Sequence, residues 1–344
     1  MLVPLLLAGR EATEQNEGKC CPLFMSDEIL DLDLEYDVNK LKNDRGQTRD
    51  YHPAKLTYSD SDGKRITLDV ELKVRGNLRR TLLKCLVPPF KIRFNKTQTP
   101  NTLFEDQTSI KIVSHCRNKP KFYQEYTLQE YLLYRIYNLL SDLSFRVRLA
   151  RFTFIDTQGK EPPNTKYAFF IESYKHMARR NGAKIVNIAS IQPEQADFAT
   201  STLASVFEYM IGNTDWSIRS SHNMYLVTIG DNPNYFPVPY DFDQAGLIDA
   251  HYAYPDELLP IRSVRERLYR GFCQDEDQFN RTFAVFQEHK KEIMALLRNA
   301  PFLPGKIKKK NLKYLEEFYK IISSSKLVNR YFIDNYRGRP FPKR

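Results

Sequence analysis

The sequence lacks any apolar run long enough to cross a bilayer, and none of its five cysteines stands in a Cys-x-x-Cys pair. A spanning helix needs about 20 mainly apolar residues, so the chain is predicted to have no integral membrane segment. Structural zinc modules use cysteines paired at that spacing as ligands, so a zinc module is not predicted. Internal repeats are also absent, which excludes a repeat architecture.

Tryptophan is scarce as well, with Trp216 alone, whereas the chain has 21 tyrosines and 22 phenylalanines. Acidic residues are fewer than basic ones, so the formal net charge of the 344 residues is +10. This balance favours anionic ligands such as phosphate, nucleic acid or an acidic protein surface, and a merely solvated basic surface is the alternative. No nucleic-acid reading module is recognisable, so nucleic acid is not predicted as a partner.

The first nine residues, MLVPLLLAG, are apolar but short, and they lack a basic n-region. They are the remnant of a signal peptide whose true start was missed, or they are a disordered tail. Cys85 and Cys116 flank two strand-like runs and would pair if the protein is exported. Free or buried thiols in a reducing compartment are the alternative, so localisation is left between export and the cytoplasm.

The first half of the chain is predicted to be mostly β-structure around one long helix. Residues 54–60 and 65–75 alternate between apolar and polar side chains, with Ser-Asp-Ser-Asp-Gly as the turn between them. Apolar residues recur at helical spacing from about 122 to 140. Further strands are predicted at 89–95, 109–115, 148–156 and 166–172.

After residue 173 the pattern becomes helical, beginning with a helix over 198–211. A short β-hairpin is predicted from NMYLVTIG and NYFPVPYDFD, which cover 223–230 and 234–243. The rest, from 256 to 335, is predicted to be largely helical, over the segments 258–269, 278–297 and 311–322.

These patterns predict an α+β fold class with two lobes. Residues 1–25 form a leader or disordered tail, 26–173 form a β-rich N-terminal lobe with one long helix, and 174–344 form a mostly helical C-terminal lobe that carries the hairpin.

Polar residues around the predicted hairpin suggest a metal site. Asp215 follows a helix, Asn223 opens one strand, and Asp241 and Asp243 end the other. Strand pairing would bring Asn223 and Asp241 toward the same end of the hairpin. Carboxylate and amide oxygens suit Mg²⁺ or Mn²⁺. The alternative is that these residues only form turns, as Asn and Asp commonly do.

The same residues are the parts that phosphoryl transfer requires. One Asp accepts the proton of the attacking group or orients it, and an Asn and another Asp hold metal ions on the nucleotide phosphates. On this reading Asp215 is the catalytic residue, and Asn223, Asp241 and Asp243 are metal ligands, with ATP and Mg²⁺ or Mn²⁺ as cofactors.

The segments that carry these residues resemble the spore-coat CotH kinase family, an atypical branch of the protein-kinase-like fold. The matching pieces are NTD at 213–215, HN at 222–223, VPYDFD at 238–243, Gly246, VELKVRGNLRR at 70–80 and PPFKIRF at 88–94. The resemblance covers roughly residues 65 to 250. It implies that Asp215 is the catalytic-loop aspartate, Asn223 the metal-binding asparagine, and Asp241 the equivalent of the first residue of the kinase Asp-Phe-Gly motif.

The sequence departs from the family pattern in three respects. The insert between Asp215 and Asn223 is slightly longer than expected. Gly46, Gly63 and Gly76 do not form a Gly-x-Gly-x-x-Gly loop. The lysine that contacts the nucleotide varies within the family, so the resemblance does not identify it.

Candidate nucleotide-binding residues come from the first half of the chain. The loop after 74 offers Arg75, Asn77 and Arg79 to phosphate oxygens, because guanidinium groups are always charged and planar; a solvated basic turn is the alternative. Lys91 and Lys111 are cations within strands, and topology favours Lys111 because its strand precedes the long helix. Either lysine alternatively points to solvent.

The remaining candidates are carboxylates. Glu125 and Glu130 on the long helix are the possible partners of such a lysine. Glu172 ends the strand FFIES, where a kinase hinge would offer backbone groups to adenine.

The leading functional hypothesis is an enzyme, an ATP- and metal-dependent kinase acting on a protein hydroxyl. The second is a catalytically inactive kinase-like scaffold that binds nucleotide or a protein partner; Asp215, Asn223 and Asp241 argue against it, because a scaffold does not need all three. Transfer of phosphate or of the nucleotide moiety is left open, since function depends on the site rather than on the fold. The protein substrate and the oligomeric state are left open as well.

Overall fold

The computed structural model describes residues 21–76, 85–272 and 275–334, which form a mixed α+β fold. Seven strands form a closed barrel: β1 (Leu30–Tyr36), β2 (His52–Ser59), β3 (Arg65–Val74), β4 (Phe90–Phe94), β5 (Ser109–Val113), β6 (Val147–Asp156) and β7 (Asn164–Ile171). Their order is β1-β2-β3-β4-β5-β7-β6. The β1–β6 pair that closes the barrel is parallel, and the other pairs are antiparallel.

Strand β1 is absent from the sequence prediction, although its apolar residues alternate with polar ones. The polar positions are carboxylates, which are depleted in strands. In the barrel Asp31 and Asp33 form ion pairs with Arg151 and Arg65. These arginines lie 120 and 32 residues away in the sequence, so the sequence near β1 carries no sign of them.

The helices are α1 (Val38–Asn43), α2 (Phe122–Leu140), α3 (Tyr174–Arg180), α4 (Phe198–Ile211), α5 (Glu276–Glu288), α6 (Lys290–Arg298), α7 (Gly305–Ile322) and α8 (Ser325–Val328), followed by a π-helical turn over Asn329–Ile333. Pro22–Phe24 and Pro193–Gln195 form 3₁₀ turns. The predicted helices α2 and α4 are confirmed. No helix among the described residues is both long and apolar enough to cross a membrane.

A second, smaller sheet contains the predicted hairpin. Its strands are β8 (Ala183–Val186), β9 (Met224–Ile229) and β10 (Phe236–Pro239), in the antiparallel order β10-β9-β8. The hairpin prediction is confirmed, whereas β8 has only four residues and was not predicted.

The helix predicted over 258–269 is wrong, because that segment is irregular in the structure. Its arginines bind backbone carbonyl groups of other segments instead. Arg265 donates to Gly246 O at 3.0 Å, and Arg267 donates to Met210 O at 3.2 Å. The single helix predicted over 278–297 is two helices, α5 and α6, which meet at His289.

Two large hydrophobic cores organise the fold. One fills the barrel, with Leu34, Leu56 and Phe152 fully buried. The larger one lies between the outer face of β5–β7, helix α2 and the C-terminal helices. Because this core contains residues from both sides of position 173, the predicted boundary there is not a break in the packing. The division into two lobes therefore stays a prediction.

A disulfide joins Cys85 to Cys116, with the two Cα atoms 4.6 Å apart. The backbone N–H groups of Leu86 and Val87 donate to Cys116 O, so the two chain segments are also hydrogen-bonded. The structure thus contains the pairing expected for an exported protein, and export itself stays a prediction.

Removing this disulfide should destabilise the fold. The bridge spans 31 positions of sequence, and losing a link of this size lowers the free energy of unfolding by about 4 kcal/mol, chiefly by releasing the unfolded chain. We expect the Cys85→Ser/Cys116→Ser variant to unfold at a lower urea concentration than the oxidised protein. Reductant should lower the wild-type midpoint to that of the variant and leave the variant unchanged. Equal wild-type midpoints with and without reductant would contradict the assignment.

Candidate functional site

Helix α4 brings the chain to Asp215. The helix begins after Asp197, whose side chain accepts from Thr200 N at 2.8 Å, and it ends at Gly212. Gly212 has a φ of 71°, a left-handed conformation that glycine adopts without strain. A side chain there would also collide with the Tyr314 hydroxyl. Position 212 therefore requires glycine, and Asp215 follows the helix through a defined turn.

The Asp215 carboxylate is partly exposed and contacts two side chains. His222 Nε2 lies 2.9 Å from Asp215 Oδ1. Asn223 Nδ2 donates to Asp215 Oδ2 at 3.2 Å and to the Asp215 carbonyl at 2.7 Å. Ser217 and His222 form an antiparallel bridge, which turns the chain back. The long insert between Asp215 and Asn223 is therefore a tight loop that brings the two side chains together.

Asn223 and Asp241 lie at the same end of the β9–β10 hairpin. Asn223 directly precedes β9, and Tyr240, the residue after β10, donates its N–H to Asn223 O at 3.1 Å. Asn223 and Asp241 have φ values of 50° and 66°, a region that Asn and Asp populate more readily than most residues. The Asp241 N–H donates to the Tyr134 hydroxyl at 2.9 Å, which connects the end of the hairpin to helix α2.

Arg75, Lys111 and Asp241 line one small cavity of about 30 Å³. Its other lining residues are Val113, Tyr134, Phe145, Ile171, Glu172, Tyr225 and Tyr240. The cations come from the barrel and the carboxylate from the end of the hairpin. The cavity thus combines the two kinds of charge that the sequence predicts for a phosphate and metal site.

The size of this cavity limits what it accepts as it stands. Pockets for small ligands usually enclose about 300–1,000 Å³, so this cavity is smaller than a nucleotide site. A groove of about 1010 Å³ lies on the barrel surface, lined by residues such as Glu35, His52 and Arg93. It contains none of the predicted site residues.

The charge of Lys111 depends on its surroundings. The pKa of Lys111 is lowered to about 8, first by burial and then by the charges of Arg75 and Lys91, whereas Asp241 favours the charged form. Its Nζ lies 5.5 Å from the centre of the Tyr240 ring. Within the described part of the chain, Lys111 forms no ion pair with the predicted helix partners 125 and 130.

Lys91 belongs to a row of three lysines on neighbouring strands. The barrel register places Lys73 opposite Lys91, and Lys91 opposite Lys111. Like charges directly opposite each other destabilise a sheet, so the fold alone does not explain this row. Lys91 does not line the cavity, and its Nζ lies 5.6 Å from the centre of the Tyr51 ring.

Other predicted site residues have different surroundings. Glu172 is buried, and its carboxylate pairs with Arg180 at 3.0 Å. The Glu172 N–H donates to Arg146 O at 2.9 Å, so this hinge donor is already used. Asp243 accepts a long hydrogen bond of 3.4 Å from the Tyr252 hydroxyl and does not line the cavity. The predictions for 77 and 79 lie outside the described residues.

Several residues that shape the site were missed by sequence reasoning. Arg270 donates to the backbone carbonyl of Thr214, next to Asp215. Arg265 donates to the backbone carbonyl of Gly246, in the segment that follows Asp243. Gly246 itself was among the residues that carry the family resemblance, and its packing leaves no room for a side chain, because an added Cβ would collide with Val264 O. The only sequence signal was the cluster of arginines at 262–270, which reads equally well as a charged helix face.

The donors available for a metal ion are few. Among the described residues, no group of three or more His, Cys, Asp and Glu side chains is arranged to hold one. This donor set fits Mg²⁺, which is commonly bound through one or two carboxylates, waters and the phosphates of its substrate. Asn223 Oδ1 accepts no hydrogen bond from the described residues, so this oxygen is available to a cation.

Comparisons with known proteins do not identify a family. No family model matches the chain, and no curated protein matches it. Among solved structures, the chain is similar to one titled as the crystal structure of the golgi casein kinase, at 9% sequence identity. The match covers 88% of this chain and 77% of that chain with a TM-score of 0.31, which is too low to support an argument.

Proposed function

We propose that this chain is an ATP- and metal-dependent phosphotransferase that acts on a hydroxyl group of a protein, as the resemblance to CotH kinases implies. The observation that carries the proposal is the meeting of Asp215 with Asn223 at one hairpin end, where Asp241 faces Arg75 and Lys111. Phosphoryl transfer depends mainly on positioning and on stabilisation of charge, and this arrangement provides groups for both.

The proposed roles follow from the charge and place of each residue. Arg75 and Lys111 bind phosphate oxygens from the barrel side. Asn223, Asp241 and Asp243 would hold Mg²⁺, which would neutralise charge on the phosphates when bound. Asp215 accepts the proton of the acceptor hydroxyl or orients that hydroxyl. His222 and Asn223 fix its carboxylate through hydrogen bonds.

One experiment tests both the activity and its type. The protein is incubated with a candidate protein substrate and with Mg-ATP labelled at either the γ or the α phosphate. Label from the γ position alone on protein supports phosphoryl transfer. Label from the α position instead would replace it with nucleotidyl transfer. Labelling of neither kind, on substrate or on the chain itself, would contradict a transferase.

The size of the cavity favours a second candidate function. At about 30 Å³ it is much smaller than a nucleotide site, as expected for a catalytically inactive kinase-like scaffold that binds a protein partner. Thermal unfolding separates the two functions, because a ligand that binds only the folded state raises Tm. A Tm that rises with Mg-ATP contradicts a scaffold that binds only a protein partner, and a Tm that does not rise supports that scaffold.

ATP affinity should fall as pH rises through the pKa of Lys111. That pKa is about 8, so the amine is charged below this pH and loses its attraction for phosphate above it. At pH 9 only about a tenth of the amines are charged, which predicts roughly tenfold weaker binding than at pH 7 if the charge is essential. Calorimetric titration at pH 7, 8 and 9 measures this.

Lys111→Arg is the control for this prediction. Arginine stays charged throughout the range, so the variant should bind ATP with a nearly constant Kd. If wild type and variant lose affinity in parallel, another group is responsible for the pH dependence.

A further inference from the structure

Glu208 is a carboxylic acid enclosed by the protein. It lies on α4 with no exposed surface, and neither of its side-chain oxygens has a hydrogen-bond partner among the described residues. Burying a polar group without a partner costs stability, so buried polar groups are normally paired. A leucine or methionine would fill the same place at no such cost. The presence of Glu208 therefore calls for an explanation beyond packing.

The polar group beside Glu208 is the side chain of Asn213, which is also fully buried. The Asn213 amide favours the ionised form of Glu208, although the contact falls short of full hydrogen-bond geometry and Nδ2 has no other partner. The backbone holds the two residues together as well, because Asn213 N donates to Glu208 O at 2.9 Å. Two unsatisfied groups of complementary chemistry thus lie next to each other.

The other end of the Asn213 amide contacts Asp215. The Asp215 N–H donates to the side-chain oxygen Asn213 Oδ1 at 3.1 Å. Trp216 Nε1 donates to the backbone carbonyl of Asn213 at 3.0 Å. Hydrogen bonds to the buried residue Asn213 therefore hold the backbone of the Asp215 loop in place. If the amide rotated, its NH₂ group would face the Asp215 N–H and the hydrogen bond would be lost.

We propose that Glu208 is a positioning residue: its carboxyl fixes the orientation of the Asn213 amide, and Asn213 in turn holds the backbone of Asp215. The catalytic consequence rests on the proposed function, whereas the structural connection does not. Burial raises the pKa of Glu208 well above its usual value and so favours the neutral acid. In either protonation state a carboxyl oxygen can accept from Asn213 Nδ2.

The test compares Glu208→Met with Glu208→Gln. Methionine keeps the length of the side chain but has no oxygen, whereas glutamine keeps a neutral group with a carbonyl oxygen. We expect hydrogen exchange at the Asp215 amide to be about five- to tenfold faster in Glu208→Met, the effect of losing one hydrogen bond. Exchange in Glu208→Gln should match wild type, and exchange in β6 should be unchanged in both.

Catalysis provides the second measurement. In Glu208→Met we expect kcat to fall about tenfold with KM for ATP unchanged, because an interaction that acts on the catalytic group affects turnover rather than nucleotide binding. Glu208→Gln should restore kcat. A purely structural role would lower Tm and leave kcat and the Asp215 amide unchanged.

Two results would overturn the proposal: wild-type exchange at the Asp215 amide in Glu208→Met, or an equal acceleration of exchange in β6. Faster exchange at Asp215 with wild-type kcat would overturn the catalytic consequence. Should Glu208→Met not fold, Glu208→Asp keeps the acid but withdraws it by one methylene, and the same exchange measurement decides. If wild type transfers no phosphate at all, the proposed function fails, and exchange still tests the connection from Glu208 to Asp215.

Discussion

Replacing Asp241 with alanine should abolish metal-dependent nucleotide binding while leaving the protein folded. The Asp241 carboxylate lies at the exposed end of the hairpin and lines the cavity with Arg75 and Lys111. Without it, the carboxylate that remains among the lining residues is that of Glu172, which already pairs with Arg180. Mg²⁺ depends on carboxylate oxygens, so the proposed site loses its main metal ligand. Calorimetric titration with Mg-ATP, and with ATP in the presence of EDTA, measures the loss.

The hairpin offers a matched control for this variant. Asp231 is an exposed aspartate in the turn between β9 and β10, at the far end from Asn223. Asp231→Ala should bind Mg-ATP like wild type and have the same Tm. An Asp241→Ala protein that binds Mg-ATP as tightly as wild type would show that Asp241 is not the main ligand.

Asp215→Asn should retain nucleotide binding and lose roughly 100-fold or more in transfer rate, which is the range for a positioned general base. The asparagine oxygen still reaches the His222 ring, and the backbone carbonyl still accepts from Asn223, so the loop keeps its shape. What is lost is the group that takes the proton. Single-turnover transfer and ATP affinity, measured on the same preparation, separate the two effects.

Asp249→Asn is the control for this substitution. Like Asp215, Asp249 is a partly exposed aspartate, and it pairs with Lys310 outside the cavity. We expect its rate and affinity to match wild type. Equal losses of affinity and rate in Asp215→Asn would make Asp215 a metal ligand instead of a proton acceptor.

Sequence patterns were sufficient where neighbouring residues determine the structure. Helix α2 was predicted at about 122–140 because its apolar residues recur every three to four positions, and it spans Phe122–Leu140. Helix α4 was predicted at 198–211, and it spans Phe198–Ile211. The β9–β10 hairpin likewise has its turn and both strands within about 20 residues, a span over which alternation is informative.

Contacts between segments far apart in the chain could not be predicted from the sequence. Closure of the barrel depends on β1 pairing with β6, which is more than 100 positions away, and the acidic alternation of β1 is typical of a strand only once its arginine partners are known. The arginines of 258–269 bind carbonyl groups on other segments, so the helical pattern there was overridden by tertiary contacts.

The candidate site likewise has features that follow from local sequence and features that depend on distant residues. The sequence by itself determined which polar residues are present near the hairpin and that Asn223 and Asp241 occupy the same end of it, because strand pairing follows from local pattern. Only the tertiary structure decided that Arg75 and Lys111 join Asp241 in one cavity. It also decided that the Glu172 carboxylate forms an ion pair with Arg180 and that the buried carboxyl of Glu208 lies beside Asn213. The physical reason is that packing, not sequence proximity, fixes which distant side chains share one low-dielectric space.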